Sequence, residues 1–425
     1  MQAVVSCPGQ RGKVKANTSG RTRTVDRISE LVTARRLAAW ATGLLILSWG
    51  LYAYTMSQAG LVDRAGRFKG SDYVQYYVLG SLVLEGRTDL LYDSNVQVAQ
   101  GRTRIDPRLN LYAAHVNYGP QVALAFAPLA RLPFGLSLAV FLGLTTVAYA
   151  AAVWLIWKSS PRLHGHGRLV ALLAAASPLF LTVVKYAQLS AFTLLIWAIA
   201  FTAFKHNRKF AAGLAVGCLA FKPQLGLVIG TALLIGREWR ALGGALVTGL
   251  GQLGVAWLVA GSRGLESYAS ALLTLVRNPA LVQLYPSEVH SIRGFLQLLV
   301  PSPMLVAAGG MAGLIVALIL AGRKWQRDAV SGVSWAQVVI LTILASPHLL
   351  SYDLVLLTCP LLLLADWCLG NDHDPRRSSV TLLLLPLYFA PFSSNLARLI
   401  PVQLSVPAMM TLVWRTHALD RHSGN

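Results

Sequence analysis

Residues 135–157, GLSLAVFLGLTTVAYAAAVWLIW, form an apolar run without a single charged side chain. About 20 consecutive apolar residues are enough for a helix to cross the ~30 Å hydrocarbon core of a bilayer. Similar runs recur along a chain of 425 residues that is 55% hydrophobic and only 13% charged, with a mean hydropathy of +0.55. Because no alternating strand pattern recurs, the sequence predicts an all-α polytopic membrane protein.

The apolar runs predict about 12 transmembrane helices in a single membrane domain over residues 37–416. The predicted spans lie near residues 37–57, 135–157, 169–185, 189–204, 209–221, 224–236, 241–260, 302–322, 333–348, 351–367, 379–395 and 400–416. The polar, arginine-rich residues 1–36 predict a disordered basic tail and not a cleaved signal peptide. A second short tail is predicted at residues 417–425.

Basic residues indicate the side of the membrane that each connection occupies, since cytoplasmic loops carry an excess of Lys and Arg. The N-terminal tail and four later connections are basic. All of them lie in the cytoplasm if residues 120–133 form a short re-entrant or interfacial helix instead of a full span. Both termini are then cytoplasmic. Two long segments lie on the outer face, residues 58–118 with amphipathic helices and residues 261–301.

The net charge of +20 has two explanations, nucleic-acid binding and the basic loops of a membrane protein. The basic residues lie in short loops between apolar runs and form no single patch, which favours the second explanation. We therefore predict no nucleic-acid partner. The four cysteines have no metal-ligand spacing, so we predict neither a disulfide nor a metal site, and no cofactor; they are Cys7, Cys218, Cys359 and Cys368.

Residues 69–77, KGSDYVQYY, place Asp72 beside three tyrosines just after the first predicted span. A carboxylate in a cleft at the membrane surface can act as a general base, with a pKa set by burial and neighbouring charges. The alternative is structural, because Ser71 or Asp72 would cap a helix that follows. The tyrosines have helical spacing and either stack on a sugar ring or belong to the interfacial aromatic belt; they are Tyr73, Tyr76 and Tyr77.

Charged residues also interrupt apolar sequence at two later points of the predicted outer face. Lys222 either binds a lipid phosphate as a point charge or extends its ammonium group to the membrane surface. His348 directly follows a proline that breaks a helix, five residues before Asp353. This pair either shares a proton and positions an acceptor, or forms a structural hydrogen bond.

The segment 261–301 contains a cluster of polar residues around Arg293 and His290. A guanidinium group is suited to binding a phosphate through paired hydrogen bonds. A solvated loop without a functional role is the alternative explanation for this cluster.

Short motifs occur in a fixed order along the chain: Gly70-Ser71-Asp72-Tyr73 with Leu91-Tyr92-Asp93, Tyr118-Gly119-Pro120 with Ala127-Pro128-Leu129, Ala176-Ser177-Pro178 with Ala187-Gln188, Phe221-Lys222-Pro223-Gln224 with Trp239-Arg240, and Ser346-Pro347-His348 with Tyr352-Asp353-Leu354. In this order they resemble glycosyltransferase family 87, which includes polyprenol-phosphate-mannose-dependent mannosyltransferases with the GT-C fold. The resemblance covers nearly the whole membrane part. It departs from the family pattern at Gly119, where proline is usual, and at Ala187, where glycine is usual.

The resemblance implies an inverting transfer of a hexose, specifically mannose, from a polyprenyl phosphate to a lipid or glycan acceptor. It implies a bacterial plasma (inner) membrane location with the active site on the outer face. Asp72 would be the general base and His348 a second catalytic residue, with Lys222 and Arg293 on the donor phosphate. The implied substrate cleft contains Tyr73, Tyr77, Tyr118, Gln188, Gln224, His290 and Asp353.

A polytopic transporter or a lipid-carrier flippase without transferase activity is the alternative class. Such proteins have charged residues at mid-membrane and symmetric broken helices. In this chain the polar residues gather at one predicted face and no internal repeat is evident, which favours the enzyme. A catalytically inactive membrane scaffold is a third explanation.

Overall fold

The computed structural model describes residues 33–108, 118–278 and 285–417. Within these ranges the chain is helical and contains no β-strand, apart from two isolated bridges. The predicted all-α class is therefore confirmed. The first helix begins at Ala34, and the predicted tails at 1–36 and 417–425 lie almost entirely outside the described residues.

The described residues contain eighteen α-helices, which we number in chain order. They are α1 Ala34–Met56, α2 Tyr73–Leu84, α3 Ser94–Arg104, α4 Pro120–Phe126, α5 Phe134–Lys158, α6 Gly167–Ala175, α7 Pro178–Tyr186, α8 Ser190–Lys205, α9 Lys209–Gly217, α10 Pro223–Ile235, α11 Trp239–Arg277, α12 Ile292–Leu299, α13 Pro303–Arg327, α14 Gly332–Ala345, α15 Thr358–Leu369, α16 Arg377–Tyr388, α17 Ser393–Leu399 and α18 Ser405–His417. Short 3₁₀ segments connect several of them: Thr88–Leu90, Leu129–Arg131, Pro161–His166, Cys218–Phe221, Pro286–Glu288, Ser351–Leu357 and Ala390–Phe392.

Five helical segments of the described chain are long and apolar enough to cross a membrane: Ala34–Met56, Phe134–Lys158, Trp239–Leu275, Pro303–Arg327 and Ser351–Leu369. Two bent pairs, Pro161–Ala175 with Pro178–Tyr186 and Arg377–Tyr388 with Ala390–Leu399, raise the number to seven if each pair is one span. The prediction of about 12 spans is not confirmed, because several predicted spans form helices of only 10–17 residues.

Two predicted boundaries differ from the structure for identifiable backbone reasons. The predicted span 169–185 is divided at Pro178, because a proline cannot continue the hydrogen-bond ladder of the preceding helix. The predicted outer loop 261–301 is helical as far as Arg277, since α11 continues past a break at Gly261. Gly261 has φ 62° there, a conformation that glycine adopts without steric cost.

The stretch 120–133 contains the seven-residue helix α4 and a single 3₁₀ turn. A helix of that length rises about 10 Å, far less than a bilayer requires. The segment is therefore too short to be a full span. This agrees with the distribution of basic residues, which predicts a short helix instead of a full span at 120–133. Its position relative to the membrane stays a prediction.

Helix α2 is a core helix and not one of the predicted amphipathic helices. Nine of its twelve residues are buried. Its tyrosines pack with Phe126, Phe134 and Phe141 in a second core, separate from the larger one built by α5, α7 to α10, α14 and α15. This packing fixes the N-terminal end of α2, where Asp72 lies.

Helices α9 and α11 approach each other closely through small residues. A Cβ atom added at Gly213 would lie 1.9 Å from the carbonyl oxygen of Ala241, and one at Gly244 would lie 2.2 Å from that of Phe210. Small residues allow such close backbone contact between membrane helices. The contact anchors α9 just before the 3₁₀ turn that leads to Lys222.

Candidate active site

Asp72 precedes the first residue of α2, yet its side chain does not cap the helix. Its Oδ2 accepts a hydrogen bond of 2.5 Å from Gln188 Nε2, and its Oδ1 lies 3.3 Å from Ser71 Oγ. The carboxylate is half-buried. Asp72 is therefore oriented by a side chain 116 positions away in sequence and not by the helix that it begins.

Gln188 joins Asp72 to the aromatic core of α2. While its Nε2 donates to Asp72, its Oε1 accepts a hydrogen bond of 2.6 Å from the Tyr76 hydroxyl. The preceding residue, Ala187, is buried and left-handed, with φ 52° and ψ 55°. Glycine adopts this conformation at no steric cost, whereas alanine is strained in it. The strained turn aims the Gln188 amide at Asp72.

Lys222 and Asp353 form a buried ion pair. Lys222 Nζ donates to Asp353 Oδ1 at 2.8 Å, and both side chains are only 6% exposed. Ser190, at the start of α8, donates a further hydrogen bond to the same carboxylate oxygen. A buried charge is tolerated when it is paired and hydrogen-bonded, as it is here. Of the two explanations for Lys222, the one in which the side chain extends to the membrane surface does not fit this burial.

The charges of Lys222 and Asp353 both act on Asp72, so the three groups belong to one electrostatic site. Burial raises the pKa of Asp72 above its usual value, and the hydrogen bonds from Gln188 and Ser71 oppose that effect, as does the positive charge of Lys222. The Asp72 carboxylate is thereby made a better proton acceptor than a solvated aspartate, while still being stabilised as an anion.

His348 lies near the ion pair, and Arg293 lies near His348. The charges of Asp353, Lys222 and Arg293 all act on His348, whose buried Nδ1 has no hydrogen-bond partner in the described chain. No hydrogen bond between His348 and Asp353 is present in the described chain. Arg293 is half-buried, packs against Gly310 of α13 and has no acidic partner among the described residues. An imidazole nitrogen without a partner is therefore present near the ion pair, and a cation without an acid lies near that imidazole.

Aromatic rings surround the ammonium group of Lys222. Its Nζ lies 5.9 Å from the ring centre of Tyr118 and 5.6 Å from that of Tyr352. The Tyr118 ring stacks in turn on Phe221, and its backbone carbonyl accepts a hydrogen bond of 2.9 Å from Tyr92. Gln224 is half-buried in the first turn of α10, directly after this cluster.

An open groove with a volume of about 540 Å³ begins next to this cluster. Its walls come from α4, the start of α8, Phe221 and α11, and they are almost entirely apolar. Phe221 immediately precedes Lys222, and another lining residue, Leu189, immediately follows Gln188. The groove therefore connects a hydrophobic surface to the charged site.

The structure places three predicted cleft residues away from the site. The ring of Tyr73 stacks on Phe141, and its hydroxyl oxygen lies 2.5 Å from Ser137 Oγ. The hydroxyl of Tyr77 donates to the carbonyl of Leu132. Both rings are inside the aromatic core. His290 is fully buried among serine side chains. We therefore leave these residues out of the cleft.

Two residues that contact the site were not in the substrate cleft implied by the family resemblance. Tyr76 is the tyrosine of α2 that reaches Gln188, and Ser190 is the hydroxyl that reaches Asp353. For Ser190 a sequence signal existed, because it lies two positions after Gln188 at the start of the next helix. For Tyr76 the helical spacing of the three tyrosines was a signal, but it did not distinguish Tyr76 from Tyr73 and Tyr77.

No three His, Cys, Asp or Glu side chains converge like metal ligands in residues 33–108, 118–278 and 285–417.

The profile of glycosyltransferase family 87 matches residues 116–347, just over half of the chain. The matched range includes Tyr118, Gln188, Lys222 and Arg293, and it ends one residue before His348. Asp72 lies before it. No curated protein and no solved structure matches the chain.

Proposed function

The chain belongs to glycosyltransferase family 87 and is a membrane glycosyltransferase, and from this premise we propose the following reaction. The enzyme transfers a hexose, specifically mannose, from a polyprenyl phosphate to a hydroxyl group of a lipid or glycan acceptor. The transfer inverts the configuration at the anomeric carbon. It takes place on the outer face of a bacterial plasma membrane, and the shorter apolar helices complete a membrane domain of about 12 spans.

Asp72 is the general base in this proposal, and its hydrogen bonding is the observation that carries the proposal. Gln188 holds Oδ2 of the carboxylate, whereas Oδ1 has only the long contact with Ser71. Oδ1 can therefore take the proton of the acceptor hydroxyl as that oxygen attacks the anomeric carbon. A general base needs this combination of fixed orientation, available lone pair and raised pKa.

Bond cleavage places the electron pair of the sugar–oxygen bond on the lipid phosphate. A phosphate is already a weak base, so it needs charge stabilisation more than protonation. Arg293 supports this role because its charge is not offset by an acid among the described residues. Lys222 has further N–H donors beyond the one that Asp353 accepts, and the unpartnered Nδ1 of His348 offers a third contact.

The apolar groove supports a lipid donor over a soluble nucleotide sugar. A polyprenyl chain buries apolar surface in a groove of this kind, and the favourable energy scales with the area removed from water. The groove starts at Phe221 and Leu189, next to the residues proposed for the phosphate and the base. A lipid held there would present its phosphate to Lys222.

The donor class is tested with the full chain in vesicles that contain lipids extracted from the source membrane as acceptors. We expect label from polyprenyl-phosphate [³H]mannose to appear in a product, with inverted anomeric configuration by NMR, and no label from nucleotide-activated mannose. Vesicles without the protein are the control. Transfer from the nucleotide sugar, or no consumption of any polyprenyl-phosphate sugar, would contradict the proposal.

A further inference from the structure

We infer that His290, Ser351 and Glu288 form a positioning network that sets the location of Asp353, and through it the Lys222 ion pair. The inference rests on the function proposed above. None of the three residues touches the ion pair, so they are positioning residues and not catalytic ones.

His290 has hydrogen-bond partners on both ring nitrogens. Nδ1 lies 2.8 Å from Ser405 Oγ, at the start of α18, and Nε2 lies 2.9 Å from Ser394 Oγ of α17 and 3.2 Å from Ser351 Oγ. The imidazole is completely buried. One side chain thus joins the segment before α12 to three separate elements of the C-terminal half.

The network ends at a carboxylate, and this end fixes the direction of its hydrogen bonds. Ser351 donates its hydroxyl proton to Glu288 Oε2, and Arg398 donates to Glu288 Oε1 at 2.6 Å. A carboxylate only accepts, so Ser351 must in turn accept a proton from Ser394 or from His290. The consistent arrangement has His290 protonated on Nε2, accepting from Ser405 on Nδ1.

The backbone reinforces the contact between the two segments. The amide nitrogen of His290 donates to the carbonyl of Leu349 at 3.0 Å, and Val289 and Leu350 form an isolated antiparallel bridge. The amide of Asp353 donates to the carbonyl of Leu350 at 2.9 Å. The segment that His290 holds is therefore the same one that begins the 3₁₀ turn carrying Asp353.

This arrangement holds the chain directly after a helix break. Helix α14 ends at Ala345, and the next regular element starts only at Ser351. Without a fixed Ser351, the intervening residues would be tied mainly by backbone contacts, and the carboxylate of Asp353 would lose its orientation toward Lys222. A fully satisfied polar network in a core specifies one arrangement, which is the property that a positioned ion pair needs.

The charge state of His290 keeps the network constant. Burial lowers the pKa of His290 to about 3. The imidazole is therefore neutral at neutral pH, and it stays neutral until the pH falls to about that value. The network is a fixed support and not a pH switch.

The test compares His290→Leu, His290→Gln and Ser351→Ala with Gln337→Leu. Gln337 is an equally buried polar link, which donates to the carbonyl of Val413 and the hydroxyl of Thr416 and joins α14 to α18 without a hydrogen bond to residues 349–353 of the described chain. The Gln337→Leu variant measures the loss of stability that follows from removing a buried polar link alone. His290→Gln retains a donor and an acceptor and is the conservative variant.

We expect kcat for transfer from polyprenyl-phosphate mannose to fall about 10- to 100-fold in His290→Leu and Ser351→Ala, as small displacements of reacting groups do. The loss in kcat should be smaller in His290→Gln than in His290→Leu. Gln337→Leu should lower the unfolding temperature by a similar amount with less than about a twofold change in kcat. Backbone hydrogen exchange over residues 347–357 should rise in the first two variants and not in Gln337→Leu.

Losses in kcat no larger than that of Gln337→Leu would overturn the positioning role, as would unchanged exchange over residues 347–357. If the wild type uses no polyprenyl-phosphate sugar, the proposed function fails and the exchange measurement alone decides the positioning role. The two failures are thereby distinguished.

Discussion

Two aspartates precede two neighbouring helices, and the structure uses them differently. Asp93 precedes α3 with ψ 111°, and its Oδ1 accepts from the backbone amides of Asn95 and Val96 at 2.8 and 3.1 Å. Asp72 precedes α2 with ψ −23° and makes no capping bond. An extended residue directs its side chain back onto the first turn, whereas a helical one does not. The acid that leaves its helix uncapped is the one that we propose as the general base.

The largest expected effect comes from exchanging each aspartate for asparagine. Asp72→Asn removes the proton acceptor, and we expect transfer to fall by up to about 10⁴-fold, the range of a lost general base. Asparagine caps a helix as well as aspartate does, so Asp93→Asn should change transfer less than about twofold. Initial rates with labelled polyprenyl-phosphate mannose, at matched protein abundance, measure both. Equal rates for the two variants would remove Asp72 as the base.

The second effect concerns stability, because Asp353 forms a buried ion pair whereas Asp72 is proposed to act in the reaction. Asp353→Asn leaves the Lys222 ammonium buried without a counter-ion, which should cost about 3–5 kcal/mol in the free energy of unfolding. Asp106→Asn is the matched control, because its 2.9 Å ion pair with Arg108 has an arginine side chain that is 88% exposed. Water and salt screen such an exposed pair, so its loss should leave the free energy of unfolding nearly unchanged.

Denaturant unfolding in detergent measures the two losses side by side. If both variants unfold at the wild-type denaturant concentration, the Lys222–Asp353 pair is not a buried structural pair.

The smallest effect concerns pH and tests the link between Gln188 and Asp72. The hydrogen bond from Gln188 stabilises the carboxylate and lowers its pKa, so Gln188→Leu should raise that pKa further. Because the base is active only when deprotonated, the acidic limb of the rate profile should move to higher pH. Transfer at the optimum should fall about 10-fold, as for the loss of one hydrogen bond to a charged group.

The pH dependence of kcat/KM for wild type and variant checks this direction. An acidic limb that stays in place, or moves to lower pH, would show that Gln188 does not hold the reacting carboxylate.

The sequence predicted what local composition determines. Helix α5 begins and ends within one residue of the predicted 135–157, because Pro133 precedes the apolar run and Lys158 ends it. Asp72, Lys222 and Asp353 were predicted for one outward-facing site. In the structure the charges of Lys222 and Asp353 act on Asp72, whereas the side of the membrane stays a prediction. The local pattern predicts these features because helix breaks and charged residues are rare in apolar sequence and are therefore easy to recognise.

The remaining features depend on contacts between distant residues. The sequence does not indicate that Lys222 pairs with Asp353, since 131 positions separate them. It does not distinguish Tyr76 from Tyr73 and Tyr77, because the faces of α2 are buried on nearly all sides. The predicted span 241–260 ends at the break at Gly261, but the sequence did not predict the second helical part of α11, which follows that break and ends at Arg277.

Gly119, one of the two departures from the family pattern, has no visible consequence for the backbone. Its φ of −71° is the value that a proline would impose. The other departure, Ala187, has a consequence for how the protein is made. An alanine in the left-handed region costs roughly 1–2 kcal/mol, so the turn does not form by local preference and requires packed neighbours. During biogenesis Gln188 therefore reaches Asp72 only after α7 and α8 have met α2. A partly inserted chain carries the carboxylate without the amide that orients it, so the proposed general base acquires its orientation only with the completed fold.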